Sequence, residues 1–124
     1  MNAKDIVLKF YESNAILSKS YLQEVLHDDL ILEWTSSKGK INIDKNDVLA
    51  LSKDIRLSYY SLRAVIHHVL VDAEDRVVVN YTHYVATFEN PDEEMVLATY
   101  FVLWELRESK LFRGYQLSQL IIDS

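Results

Sequence analysis

The sequence predicts an α+β fold in which helices cover one face of a twisted antiparallel sheet. Three observations carry this. Apolar residues recur at helical spacing as far as Tyr59, the long runs after Ser61 alternate with the period of a strand, and only two Gly and one Pro interrupt 124 residues. The last leaves no room for a flexible linker, so residues 1–124 are expected to form a single domain. With 49% hydrophobic and 26% charged residues the composition is that of an ordinary globular domain, and 124 residues are enough to bury one core and too few for two.

The first helix is expected over Ala3 to Leu17, with Ile6, Val7, Phe10, Tyr11 and Leu17 in one stripe, Asn2 as cap and Asp5 near the positive end of the dipole. Ser20 with Gln23 has capping-box spacing ahead of Leu22, Val25 and Leu26, so a short second helix runs up to His27 and stops at Asp28-Asp29. Leu30 to Trp34 favours a strand, Ser36 to Gly39 a turn, and Lys40 to Ile43 a short returning arm. The third helix has the clearest start. Asp44 is its N-cap, Asp47 stands at N3, Ile43 closes against Val48, and the stripe continues through Leu51, Ile55 and Tyr59. Four antiparallel strands follow: Leu62 to Val71, Arg76 to Phe88, Met95 to Arg107 and Lys110 to Ile122. Their connections are Asp72 to Asp75, Asn90 to Glu93, and Glu108-Ser109.

Charge and composition exclude several functions. With 19 Asp+Glu against 13 Lys+Arg the chain carries −6, and no stretch gathers a basic patch, which argues against nucleic acid. The absence of Cys removes disulfides and thiolate metal sites. The first residues reach Asp5 before any apolar run, unlike a secretion signal, and Met95 to Trp104 is too short to span a bilayer, so no membrane partner and a cytoplasmic location are expected. No His-x-His pair, His-Glu-x-x-His motif or carboxylate cluster points to a metal, and no cofactor is expected.

Element order and three local stretches resemble the nuclear transport factor 2-like superfamily, which includes SnoaL-like polyketide cyclases, ketosteroid isomerases and scytalone dehydratases. The stretches are Tyr21 to Leu30, a leucine-rich second helix ending in an acidic pair, Asp72 to Tyr81 as the central hairpin, and Leu106 to Leu111 at a family turn. The resemblance covers nearly the whole chain. It implies three N-terminal helices packed in a strongly curved sheet, a cone with an internal cavity, and homodimers packed sheet to sheet. The ketosteroid isomerase residues do not carry over. Trp34 falls at the position of their proton-abstracting carboxylate, Phe10 or Tyr11 near their oxyanion-binding tyrosine, and Val102 near their second acid.

Candidate site residues come from the strand patterns. In Arg76 to Phe88, Val77, Val79, Tyr81, His83 and Val85 share one face. Pairing across Asp72 to Asp75 adds His68 to that face, so His83, His68 and Tyr81 are the acid–base candidates, imidazole being the side chain that titrates near neutral pH. Scytalone dehydratases are similar in using paired histidines with tyrosines. Trp34, Tyr11, Tyr59, Tyr100, Trp104 and Gln116 are the expected ligand-binding residues, combining large apolar surface with polar tips. Core filling is the competing use, and the one expected for most of these aromatic residues. On the last strand Lys110, Phe112, Gly114, Gln116 and Ser118 are expected to face inward if the hairpin keeps parity. The other face would carry Phe101, Leu103, Tyr84, Phe88, Tyr115 and Leu117, more apolar surface than a monomer normally exposes, and a two-fold homodimer would cover it.

Two functions fit this sequence: a small-molecule enzyme using general acid–base chemistry on a cyclic or polyketide-like compound, and a binding or dimerisation module without chemistry.

Overall fold

The computed structural model describes residues 1–120. The side chain of Asn2 accepts from the Asp5 amide at 2.8 Å and so caps α1 (Ala3–Glu12). This helix ends at Glu12 instead of reaching Leu17, because Asn14 takes the left-handed backbone (φ 54°) and a 3-10 turn over Ala15–Leu17 follows. Helix α2 (Lys19–Val25) is capped by Ser18, whose Oγ accepts from the Tyr21 amide at 3.3 Å; Ser20, expected as the cap, is already helical.

Asp28 and Asp29 do not break the chain. They lie within β1 (Leu26–Ser36), both exposed, with Asp28 paired to Lys45 at 2.9 Å. His27, expected at a helix end, is also in this strand. A turn through Gly39 (φ 113°) leads to β2 (Gly39–Asp44). Helix α3 (Lys45–Ser58) starts with a complete capping box: the Asp47 amide donates to Asp44 at 2.9 Å and the Asp44 amide to Asp47 at 3.0 Å. Then come β3 (Ser61–Ala73), β4 (Arg76–Ala86), β5 (Met95–Arg107) and β6 (Lys110–Leu120). Strand β4 stops at Ala86, short of Phe88. The expected extension of the last strand to Ile122 lies outside the described residues.

All six strands form one sheet in the order β2-β1-β6-β5-β4-β3. The sheet is mixed, not wholly antiparallel as expected, because β6 lies beside β1 and runs parallel to it. Unmatched residues bend it. His67 is extra on β3, Leu97 on β5 and Phe112 on β6, each between otherwise regular pairs. The sheet thereby curls around the helices, and Val7, Leu22 and Val48 pack against Val77, Val79, Val102 and Leu111. No helix among the described residues is long and apolar enough to cross a membrane.

Candidate ligand cavity

Strand alternation sends Val77, Val79, Tyr81 and Val85 of β4 to the concave face, where they are buried, and His83 continues the row. Register carries the row across the sheet: Tyr81 lies opposite Tyr100, Tyr100 opposite Ser118, Val102 opposite Gln116, and Trp104 opposite Gly114. The rings meet closely. Tyr81 stacks on Tyr100 at 4.6 Å, and His83 lies 5.1 Å from Tyr81 and 4.9 Å from Tyr100. Gly114 admits the Trp104 indole, since a Cβ there would lie 2.5 Å from Leu32 and 2.7 Å from the indole.

The curled sheet and the helices do not fill the space between them. A cavity of about 500 Å³ remains, within the range of small-molecule sites. Its walls are mostly apolar, from Phe10 on α1, Val48, Leu51 and Ile55 on α3, Leu62 and Ala64 on β3, and Leu97 and Ala98 on β5. The Leu97 bulge turns two successive residues toward the cavity directly opposite His83. The tip of the β1–β2 hairpin forms an exposed rim, and there Lys38 is the only formally charged side chain among the described lining residues. No carboxylate is among them.

Polar groups inside are desolvated. Burial lowers His83 from 6.5 to about 4, so its imidazole is uncharged at neutral pH. Burial also lifts Tyr100 to about 12 and raises Tyr11 and Tyr81 far above the ordinary phenol range, so all three hydroxyls keep their protons. Trp104 Nε1 donates to the Tyr11 hydroxyl at 2.8 Å, Tyr81 donates to Gln116 Oε1 at 2.9 Å, and Trp34 Nε1 donates to Ser118 Oγ at 2.8 Å. Among the described residues, neither ring nitrogen of His83 has a side-chain hydrogen bond and no unpaired side-chain polar atom is sealed from the cavity or solvent. The imidazole therefore presents unsatisfied hydrogen-bonding capacity to the void.

Seven of the nine expected site residues line this cavity: His83, Tyr81, Trp34, Tyr11, Tyr100, Trp104 and Gln116. Two do not. His68 is exposed, because the extra residue His67 shifts it opposite Asn80, whose side chain points to the convex face; His67 bonds Thr82 Oγ1 at 2.8 Å on that same side. Tyr59 ends α3 and lines a separate, smaller recess with Leu17 and Tyr60. On β6 the Phe112 bulge buries Leu111 where Lys110 and Phe112 were expected, and Phe112 lies between the Arg107 and Arg113 guanidinium groups at 4.0 and 3.9 Å. Beyond the bulge, parity is as expected.

No family model matches the chain, and no curated protein matches its sequence. Solved structures do. AusH from Aspergillus nidulans superposes with a TM-score of 0.76 at 12% identity, covering 92% of this chain and 81% of its own. An LEH-like epoxide hydrolase from M. tuberculosis gives 0.70 at 15%, over 94% of this chain and 81% of its own. A nuclear transport factor 2-like protein of unknown function from Burkholderia pseudomallei K96243 gives 0.68 at 15%, over 94% and 89%. This chain has the nuclear transport factor 2-like fold.

Within the nuclear transport factor 2-like fold of this chain, several lining residues escaped sequence reasoning. Asn14, Ala15 and Ile16 reach the cavity only because α1 breaks early. Val48, Leu51 and Ile55 were legible as a core-facing stripe, but a stripe does not reveal that it faces a void. Ala64 and Ala98 carried a usable signal: a small residue in a row of large ones leaves space.

Proposed function

We propose that the chain binds a small, cyclic and predominantly apolar metabolite in this cavity and that His83 acts there as a general base. The observation that carries the reading is an uncharged, unbonded imidazole beside a lined space of about 500 Å³. With a value near 4, His83 has the proton affinity of an ordinary aspartate, which supplies carboxylate-like basicity to a cavity without a carboxylate. Tyr100, held protonated, is the adjacent donor. The reaction class supported is proton abstraction next to a carbonyl, the step shared by isomerases, cyclases and dehydratases. An epoxide hydrolase on the same fold supports small-molecule chemistry by analogy of fold only.

The test uses 1-tetralone in D2O. Wild-type protein is expected to exchange the α-protons for deuterium roughly 100-fold faster than His83→Phe, followed by NMR. Equal rates in the two proteins would remove the base assignment.

A second reading concerns assembly. The convex face places Phe101 (53% exposed) opposite Leu117 (60%) and Leu103 opposite Tyr115 (43%), a contiguous apolar block. Tyr84 contributes less than expected, since the Arg63 guanidinium covers its ring at 4.6 Å. This block supports a two-fold homodimer through the outer sheet face. Leu117→Lys should then elute as a monomer where wild type elutes as a dimer; an unchanged elution volume counts against the contact.

A further inference from the structure

Two hydrogen bonds in the cavity wall have a fixed direction. An indole N–H only donates, so Trp104 at one end makes the Tyr11 oxygen an acceptor. The Tyr11 ring packs on that of Tyr81, with centroids 4.3 Å apart. The Tyr81 proton is committed to Gln116 Oε1 at 2.9 Å. Trp104 thus holds Tyr11, Tyr11 packs on Tyr81, and Tyr81 donates to the Gln116 carbonyl. Each phenol is buried and protonated, and each has one proton to give.

The consequence falls on Gln116. With Oε1 taken, the amide is fixed with its two N–H groups free. The residue is only 7% exposed, it lines the cavity, and no unpaired side-chain nitrogen or oxygen among the described residues is sealed in the protein. An amide nitrogen that is buried, unpaired and yet reachable opens into the void. A ligand without an acceptor leaves that nitrogen unsatisfied; a ligand with a carbonyl oxygen satisfies it.

We propose that Gln116 selects for ligands carrying a ketone or quinone carbonyl, with the side-chain NH2 donating to that oxygen and the Tyr81 hydroxyl fixing the amide. The inference rests on the cavity reading above and narrows its ligand class. Tyr81 is a positioning residue here, acting only through the amide.

Two probes of similar shape separate this inference from the reading beneath it: 1-tetralone, which has a carbonyl, and tetralin, which has none. Substitution Gln116→Met keeps the length of the side chain and removes both donors. It is expected to weaken 1-tetralone binding about tenfold and to leave tetralin binding unchanged or tighter. Equal effects on both probes, or none, overturn the inference while the cavity reading stands. Failure of both probes to bind wild type defeats both. A second measurement needs no variant. Infrared difference spectra of 13C-carbonyl 1-tetralone on wild type should show the stretch below its frequency in cyclohexane, as for a hydrogen-bonded carbonyl. A cyclohexane-like frequency contradicts the inference.

Discussion

Replacing Gly114 by Ala is expected to destabilise the protein by about 2 kcal/mol, a fall in Tm of roughly 8 °C. Both neighbours of the new methyl are constrained. Leu32 is buried, with its Cδ1 2.5 Å from the built Cβ, and the Trp104 ring at 2.7 Å is held by its bond to Tyr11. Relief requires the indole to move, which breaks its bond to Tyr11 as well as the packing. The double variant Leu32→Ala/Gly114→Ala should be less destabilised than the sum of the single changes, since removing the leucine opens half of the clash. Thermal and urea unfolding check this. A Gly114→Ala protein within about 0.5 kcal/mol of wild type would show that the wall is looser than its contacts imply.

The second large effect is a pH dependence. His83 titrates near 4 in the folded protein and near 6.5 when unfolded, so between those values the unfolded chain binds the extra proton. Stability from the neutral imidazole is therefore fully present above about pH 6.5 and is lost as pH falls toward 4. At about 1.4 kcal/mol per pH unit the gap corresponds to about 3 kcal/mol. His83→Phe has no such proton to gain, and its stability should fall less than that of wild type by about this amount between pH 7 and pH 4. Urea midpoints at a series of pH values measure the difference. Parallel curves for the two proteins would mean that the ring is solvated.

The contrast between Tyr81 and His68 marks what the sequence could carry. Alternation along β4 is a local property of the pleat, so the inward row of Tyr81 and His83 was legible, as was the Asp44–Asp47 box that starts α3. His68 failed because one unmatched residue, His67, reverses the face of what comes next, and no propensity distinguishes a bulged His from a regular one. The same fault misplaced Lys110 and Phe112 on β6. The parallel pairing of β6 with β1 joins residues at opposite ends of the chain, which alternation within a strand does not encode. Gln116 was identified as a polar contact; its donor-only role was not, since that depends on the Tyr81 hydroxyl, which the fold brings to its Oε1.

The most direct test of the central claim, that the hollow of the curled sheet is a ligand site centred on His83, is a set of NMR distance contacts from bound 1-tetralone. The account predicts nuclear Overhauser effects from its ring protons to the His83 imidazole and to the Ala98 methyl group, which line the void side by side as a cross-strand pair. Contacts confined to Phe101 and Leu117 on the convex face would place the compound outside the cone and contradict it.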